Sequence, residues 1–350
     1  MNNRIKKLQA QFPSRSIDAF LVSKEANIRY LTEFPASESW LLVTRSKTFY
    51  ITDARYSLEA KEGLRGIEVK KYQSSMAETI FDLVKIWGVK SLAVEDHHLT
   101  VAQFKSLKKH CPKTVKLIGT SLIIDKIREV KEEKEIRQIE KALSIHKDAL
   151  DYLKTIVKPK ITEFEILLKL ENFVRSKGAG FSFSPIIASG PNSCYPHAKV
   201  THRRLRNHEP VLIDTGMDLN GYKSDLTRIF YLGTIRPLVA HVREKVWEAQ
   251  QLAIKNIKPG AAVKTIDALA RNLLTKYKLD QYFTHALGHG VGLEIHESPR
   301  LSQKDPSILQ EGMVVTVEPA VYIPRQFGIR LEEMVLVTKK GNRVLSGRIH

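Results

Sequence analysis

Two carboxylates, Asp214 and Asp225, lie in apolar, β-branched runs of the segment 210–233. The runs are joined by Asn220-Gly221, a dipeptide typical of two-residue hairpin turns. If this dipeptide forms the turn, Asp214 and Asp225 are diagonal neighbours on one face, because residues two apart along a strand share a face. Carboxylates inside apolar strands are costly to desolvate, and a shared cation would compensate them. The hairpin therefore predicts a cation site.

Further ligand-type residues follow in apolar or glycine-rich, strand-like contexts: His285, His289, His296, Glu318, Glu332 and Glu333. A single strand histidine is more often a satisfied core residue, and a single strand glutamate more often lies at an edge. Together with the two aspartates, these residues are hard to explain as separate accidents. The glycines around the histidines predict a backbone that approaches a ligand closely.

The residues with this chemistry lie after residue 180, and the chain from residue 1 to about 125 predicts a separate α/β unit. Short apolar runs predict strands at 19–23, 39–44, 48–52 and 91–95, and helical periodicity is present at 54–64 and 74–88. Within this unit, polar groups near Asp53 and His97 are interpreted as turns rather than sites.

A charged, heptad-like segment, Lys126–Tyr152, predicts one helix that leads into a second domain. Thr162 and Glu165 form a capping box at the start of the next helix. Further helices are expected at about 237–256 and 263–278. These elements must position the hairpin and the segments that follow it.

The composition is that of an ordinary globular protein: 350 residues, 43% hydrophobic and 27% charged. This length favours two domains. No apolar run reaches the roughly 18 residues of a membrane span, and the N-terminus lacks the pattern of a signal peptide. Only Cys111 and Cys194 are present, too few for a disulfide framework. The simplest expectation is a cytoplasmic protein with no membrane partner.

The net charge of +18 is the unusual feature of the composition. Such a field can favour nucleic acid. The basic residues are scattered, however, without aromatic interleaving or a nucleic-acid motif, so nucleic acid is not the expected partner.

The segments with ligand-type residues, in their order along the chain, resemble the metal-dependent pita-bread peptidases. Within these they resemble the Xaa-Pro peptidases, namely prolidases and aminopeptidases P. The phrases NIRYLTEF and TDARY resemble the creatinase-type N-terminal domain. The resemblance covers essentially the whole chain. It implies an α/β N-terminal domain of the creatinase/prolidase type at 1–125, followed by an α+β pita-bread catalytic domain at 126–350.

The resemblance implies that five residues bind two divalent metal ions: Asp214, Asp225, His289, Glu318 and Glu332. The eleven-residue separation of the aspartates fits the family pattern, and Glu332 is preferred to Glu333 because it follows the GIR stretch. Four carboxylates and one imidazole suit Mn²⁺, Co²⁺, Zn²⁺ or Fe²⁺, and we favour Mn²⁺. Their four negative charges would balance two divalent cations.

The resemblance also implies roles for these residues. Asp225 and Glu332 would bridge both metals, Asp214 would complete one, and His289 and Glu318 the other. Glu318 would also accept the proton of the attacking water and pass it to the leaving proline nitrogen.

Residues around the metals would handle the substrate. By resemblance, His285 and His296 would contact substrate and stabilise the oxyanion, and His197 would line the substrate pocket. Arg330 would orient metal ligands. Arg300 lies where some prolidases bind the free carboxylate of a dipeptide.

The expected substrate is a proline-containing di- or oligopeptide, with an Xaa-Pro dipeptidase favoured and an Xaa-Pro aminopeptidase as the alternative. Methionine aminopeptidase, creatinase and a non-catalytic binding member of the fold remain weaker alternatives. The first would lack this N-terminal domain, and the other two typically lose metal ligands. A homodimer is expected by analogy.

Overall fold

The computed structural model describes residues 3–347. Its backbone divides into two compact units, Met1–Arg128 and Glu129–His350. Among the helices of residues 3–347, none has the length and apolar composition required to cross a membrane.

The first unit contains a six-stranded sheet with helices between its strands. In chain order the elements are α1 (Asn3–Gln9), β1 (Ala19–Val22), α2 (Glu25–Thr32), β2 (Ser39–Thr44), β3 (Thr48–Thr52), α3 (Ser57–Gly63), β4 (Glu68–Lys71), α4 (Met76–Ile86), β5 (Ser91–Glu95), α5 (Val101–His110), β6 (Lys116–Thr120) and α6 (Ile123–Glu129). The strand order is β4-β3-β2-β1-β5-β6, with antiparallel pairs in the middle and parallel pairs at both edges. The predicted strands and helices of this unit are confirmed.

The two polar groups interpreted as turns are turns. Asp53 accepts a hydrogen bond from the backbone N–H of Arg55 at 2.7 Å, and the guanidinium of Arg55 pairs with the same carboxylate. Residues 96–98 form a turn after β5.

The prediction of one continuous helix from Lys126 to Tyr152 is wrong. The chain forms α6, which ends at Glu129, and a separate helix, α7 (Glu133–Ile156). Between them, Val130 makes an antiparallel bridge with Met313. Glu132 caps α7 together with Glu135. A tertiary backbone pairing and a local cap therefore interrupt a sequence whose apolar pattern alone is continuous.

The second unit combines helices with several small antiparallel sheets. After α7 the elements are α8 (Glu163–Ser176), β7 (Gly180–Phe181), β8 (Ile186–Ser189), β9 (Pro210–Thr215), β10 (Met217–Leu219), β11 (Tyr222–Lys223), β12 (Leu226–Tyr231), α9 (Pro237–Asn256), α10 (Val263–Lys276), β13 (Gly288–Gly290), β14 (Glu297–Leu301), β15 (Val314–Val317), β16 (Ala320–Ile323), β17 (Phe327–Arg330), β18 (Glu333–Thr338) and β19 (Gly341–Val344). The predicted capping box of Thr162 and Glu165 starts α8.

The sheets of this unit have the orders β12-β9-β8, β11-β10-β7, β14-β13-β15-β18-β19 and β16-β17. Apolar side chains of α9 and α10 form one core with strands such as β15 and β17. Those of α7 and α8 form another with β9. Both helix pairs thus support the strands that carry the ligand-type residues.

Candidate metal centre

The hairpin that carries Asp214 and Asp225 has the predicted turn. Strands β10 and β11 pair across Asn220 and Gly221, whose φ values of 51° and 82° suit a type I′ turn. Farther from the turn, in strands β9 and β12, Asp214 pairs with Thr227. This register confirms that the two aspartates lie on one face of the hairpin.

Strand β13 places His289 between β14 and β15. A Cβ atom at Gly288 would lie 2.0 Å from the carbonyl oxygen of Thr316, and one at Gly290 would lie 2.4 Å from that of Ser298. The sequence predicts close approach to a ligand at these glycines. In the structure their close approach is to the flanking strands, which brings His289 beside the end of β15.

The two candidate glutamate ligands lie at the ends of two strands of the same sheet. Glu318 follows β15, and Glu332 precedes β18. The hydroxyl of Thr227 donates to the carboxylate of Glu332 at 2.8 Å. Glu333 instead pairs with Arg228 at 3.1 Å. The two adjacent glutamates therefore have separate partners.

The structure brings the imidazole of His289 among the carboxylates. Its Nε2 atom lies 3.3 Å from Glu318 and 3.6 Å from Asp225. Ligand atoms of Asp225, His289 and Glu332 all lie within 4.8 Å of one another. The Nδ1 atom of His289 is 3.1 Å from the carbonyl of Gly290, which can only accept. Nδ1 therefore carries a proton, and Nε2 faces the acids, where a metal ion would bind it. Burial disfavours a second proton on the ring, but the hydrogen bond and charge of Glu318 prevail and raise the pKa of His289.

Asp214 provides a direct test of whether a cation fits. One of its oxygens accepts a hydrogen bond from Arg330. Within residues 3–347, the other oxygen, Oδ1, is buried and has no hydrogen-bond partner. An unsatisfied buried carboxylate oxygen is costly. This orphaned oxygen and the adjacent acids are the hard donors that a divalent cation would satisfy.

The pKa values of the acids reflect the same crowding. Burial, followed by the charges of neighbouring carboxylates, raises the pKa values of Asp225 and Glu332 well above their usual range. Burial also disfavours ionisation of Glu318, but its hydrogen bond and charge interaction with His289 prevail and lower its pKa to about 2. Without a cation, burial and mutual repulsion therefore disfavour the ionised state of all the carboxylates at once. A bound cation would compensate their negative charge.

Arg330 connects the acids to neighbouring segments of the chain. It is almost completely buried. Besides Asp214, it donates to the hydroxyl of Thr227 at 2.9 Å, to the carbonyl of Pro196 at 3.1 Å and to the hydroxyl of Tyr322. One guanidinium thus fixes side chains from several strands.

Tyr322 links Arg330 to His285. Because Arg330 can only donate, the Tyr322 hydroxyl is free to donate to Nε2 of His285, 3.1 Å away. The Nδ1 atom of His285 faces the carbonyl of Ala286 at 2.8 Å and so carries the proton. Burial lowers the pKa of His285 and raises that of Tyr322 to about 12, so both side chains are neutral at pH 7.

The remaining predicted residues surround this centre. The ring of His296 lies 4.3 Å from that of His289 between centroids. Arg300 pairs with His289 in the β13–β14 register. His197 is exposed and follows Pro196, whose carbonyl is bound by Arg330. Burial and the charge of His289 lower the pKa of His296, and the charges of His197 and Arg300 add to this effect.

Sequence reasoning missed Tyr322 and Thr227. A tyrosine or threonine in an apolar strand is an ordinary β-forming residue. The register could have supplied a signal for Thr227, because a residue opposite Asp214 must share its face. The contact of Tyr322 with His285 spans 37 residues of sequence and has no local signal.

Residues 137–339 match metallopeptidase family M24. The chain belongs to this family. Residues 4–130 match the creatinase/prolidase N-terminal domain. The predicted fold class, a creatinase-type N-terminal domain followed by an M24 catalytic domain, is thus confirmed, and so is the prediction of a metallopeptidase. The family depends on a dinuclear metal centre, and the acidic cluster is a possible metal site.

Several relatives resemble this M24 chain over nearly its whole length. An Xaa-Pro dipeptidase of Pyrococcus horikoshii is 36% identical, with 99% of this chain and 97% of the relative covered. The solved Xaa-Pro dipeptidase of Bacillus anthracis has a TM-score of 0.94 at 32% identity, covering 98% and 97% of the two chains. An X-Pro aminopeptidase of Thermotoga maritima has a TM-score of 0.88 at 33% identity, covering 95% and 96%.

Proposed function

We propose that this M24 protein is a dinuclear-metal Xaa-Pro dipeptidase that hydrolyses the peptide bond before proline. The observation that carries the proposal is the cluster of the buried Asp225 and Glu332 with the half-buried His289, beside the orphaned oxygen of Asp214. The chain that holds this cluster is 36% identical, over 99% of its length, to a protein named as an Xaa-Pro dipeptidase.

In this proposal five residues hold the metals: Asp214, Asp225, His289, Glu318 and Glu332. When bound, the two cations supply a nucleophile from water and polarise the scissile carbonyl. Asp225 and Glu332 would hold both metals: the charge of Glu332 helps to raise the pKa of Asp225, and a shared cation would relieve this repulsion.

Glu318 is the proposed proton acceptor. Its carboxylate is ionised at neutral pH, because its pKa is lowered to about 2, and the ionised form is the one that can accept a proton. The same carboxyl group then gives the proton to the proline nitrogen, which must be protonated to leave as an amine.

His285 and His296 are the proposed substrate contacts beside the metals. In the tautomer described above, Nε2 of His285 accepts a hydrogen bond from Tyr322. For His285 to stabilise an oxyanion, this nitrogen must therefore take up a proton, because only a donor can bind the developing negative charge. The ring contact of His296 with His289 keeps His296 beside the same reaction space.

Arg300 is the proposed reason for dipeptide preference. It is exposed, and its register with His289 puts the two residues on one side of β13–β14. A guanidinium there can bind the carboxylate of a dipeptide's C-terminal proline. A longer peptide has no free carboxylate at that position.

The competing proposal is an Xaa-Pro aminopeptidase, which the resemblance to the Thermotoga maritima structure supports. A non-catalytic role is disfavoured by the intact donor set.

The deciding experiment compares Xaa-Pro dipeptides with Xaa-Pro-Xaa tripeptides, using protein stripped by chelator and reloaded with Mn²⁺ or Co²⁺. We expect no activity in chelator, and dipeptide cleavage after reloading. Preference for tripeptides would replace the dipeptidase with the aminopeptidase. Full activity in excess chelator would eliminate the metal mechanism.

The Arg300→Ala variant tests the specificity element separately. We expect KM for dipeptides to rise about tenfold or more, with little change in kcat, because a charge-assisted contact to the substrate is lost. Lys304→Ala, which removes an exposed positive charge a few residues away, is the matched control. Equal effects of the two substitutions would remove Arg300 from the binding site.

Several finer points belong to the same proposal. Mn²⁺ as the native metal is supported by the oxygen-rich donor set. A cytoplasmic location is consistent with the free thiols of Cys111 and Cys194. The homodimer rests on the resemblance. For the domain boundary we retain 125/126, close to Arg128, where the first compact unit ends.

A further inference from the structure

In the hairpin that carries Asp214 and Asp225, the ladder of backbone hydrogen bonds between the two strands is interrupted near these aspartates. Its outer strands, β10 and β11, belong to a different sheet from β9 and β12. The N–H of Ser224 still donates across the hairpin to the carbonyl of Met217 at 2.9 Å, but two groups of the next pair are engaged elsewhere. The carbonyl of Gly216 accepts from the N–H of Ser182 at 2.8 Å, and the N–H of Asp225 donates to Sδ of Met334 at 3.3 Å. Gly216 and Asp225 therefore lack the ladder bonds that hold the rest of the hairpin.

A buried histidine on α7 bridges this interruption. His146 has 0% relative exposure. Its Nε2 atom is 2.8 Å from the hydroxyl of Thr215, and its Nδ1 atom is 3.1 Å from the hydroxyl of Ser224. Thr215 directly follows Asp214, and Ser224 directly precedes Asp225. Since successive side chains in a strand point to opposite faces, His146 contacts the face behind the aspartates.

The hydrogen bonds of His146 are those of a neutral ring. Burial lowers the pKa of His146 to about 3, so the imidazole is uncharged at pH 7. A neutral imidazole offers one donor and one acceptor, and a hydroxyl can complement either. The hydroxyl of Ser224 also accepts from the N–H of Met217 at 3.1 Å, which ties the bridge to β10.

We infer that His146 is a positioning residue that fixes the separation of Asp214 and Asp225 by binding the hydroxyls of their chain neighbours, and so sets the metal affinity. The inference rests on the proposed function, because it assumes that the two aspartates bind metal. His146 contacts neither metal nor substrate in this role. It acts as the outer partners of metal ligands do, by holding their backbone in the geometry that the cation requires.

The test is the affinity of chelator-stripped protein for Co²⁺, measured by calorimetry and by the visible absorption of the bound ion. We expect His146→Phe, which keeps a ring but loses both hydrogen bonds, to raise the Kd for Co²⁺ about 10–100-fold. His146→Gln, whose amide keeps a donor and an acceptor, should recover part of that loss. The Co²⁺ absorption should shift in the Phe variant, because the coordination geometry changes.

Leu150→Ala is the matched control for general loss of stability. Leu150 lies on the same helix, is buried, and belongs to the apolar core that α7 and α8 form with β9. We expect this variant to unfold more easily than the wild-type protein and yet to bind Co²⁺ with an unchanged Kd. A rise in Kd equal to that of His146→Phe would overturn the inference by making the effect one of stability alone.

A double-variant cycle tests the path through the hydroxyls. Thr215→Val and Ser224→Ala each remove one partner of His146, and they serve also if His146→Phe does not fold. If the inference is right, each raises the Kd, and combining either with His146→Phe adds less than the sum of the separate effects. Full additivity, or a Kd within twofold of the wild-type value in all variants, would overturn it. Failure of the wild-type protein to bind Co²⁺ would instead refute the proposed function.

Discussion

Arg330 donates a hydrogen bond to Asp214, and the two residues are only 3% and 8% exposed. The pairing binds one carboxylate oxygen and leaves the other, Oδ1, without a hydrogen-bond partner in the described part of the chain. A buried guanidinium thus turns Asp214 so that its second oxygen remains available to a cation. This division of one carboxylate between an arginine and a metal makes Arg330 the first residue to test.

Arg330→Lys should reduce kcat/KM about 10–100-fold. Lysine keeps the charge, but its single ammonium cannot replace a planar fork that reaches Asp214, Thr227 and Tyr322 together. Steady-state kinetics on a metal-loaded sample measures the effect. Arg343→Lys, at an exposed pair with Glu140, is the control and should behave as wild type. Unchanged kinetics in Arg330→Lys would mean that positive charge alone is sufficient.

Glu332→Gln and Glu333→Gln form a matched pair of neighbouring substitutions. Glu332→Gln should abolish measurable turnover, because it removes a charge from the cluster with Asp225 and His289. Glu333→Gln should leave turnover nearly unchanged and lower stability by about 1–3 kcal/mol, since its carboxylate pairs with the largely buried Arg228 instead. Turnover and thermal denaturation should be measured on both proteins. Loss of activity in Glu333→Gln alone would reverse the assignment.

The hairpin could be predicted from the sequence because its determinants are local. The alternation of strand residues and the φ requirements of Asn220-Gly221 are set within a few residues. The turn conformation and the pairing of Asp214 with Thr227 follow from them. The family resemblance then identified the pita-bread metallopeptidase fold from the order of the motifs.

The contacts that complete the site could not be predicted, because they join distant segments. His146 lies 69 residues from Thr215 in sequence, and its helical context predicts only a core position. The interruption between α6 and α7 depends on a bridge from Val130 to Met313, which no local pattern encodes. Long-range hydrogen bonds of this kind are visible only once the strands are assembled.

His146 also predicts how stability depends on pH. Burial lowers its pKa from 6.5 to about 3 in the folded state. Between these pH values the unfolded chain binds the extra proton, so the histidine lowers the free energy of unfolding as pH falls below about 6.5. The expected slope is about 1.4 kcal/mol per pH unit.

Urea denaturation at pH 5 and pH 7 measures this contribution. The experiment uses chelator, so that metal binding does not add to the stability. His146→Gln, which cannot titrate, should lose less stability between these pH values than the wild-type protein does. Equal losses of unfolding free energy between pH 7 and pH 5 in the two proteins would show that protonation of His146 does not cause the pH dependence.

Asp267 and Arg271 on α10 hold the backbone around His285. The guanidinium of Arg271 donates to the carbonyls of Phe283 at 2.9 Å and His285 at 3.0 Å. Asp267 pairs with Arg271 and accepts from the N–H of Leu287 at 3.1 Å. These bonds fix the segment that presents the His285 ring to Tyr322, without contact to the cluster of acids.

Arg271→Met should therefore separate catalysis from metal binding. We expect kcat/KM to fall about tenfold, because His285 loses its backbone support and a small misplacement is costly in an active site. The Kd for Co²⁺ should stay within twofold of the wild-type value, since the metal-binding side chains keep their own partners. Arg175→Met, at an exposed pair with Glu171 on α8, controls for loss of a surface arginine. A raised Kd for Co²⁺ in Arg271→Met would show that the His285 segment also positions the metal-binding side chains.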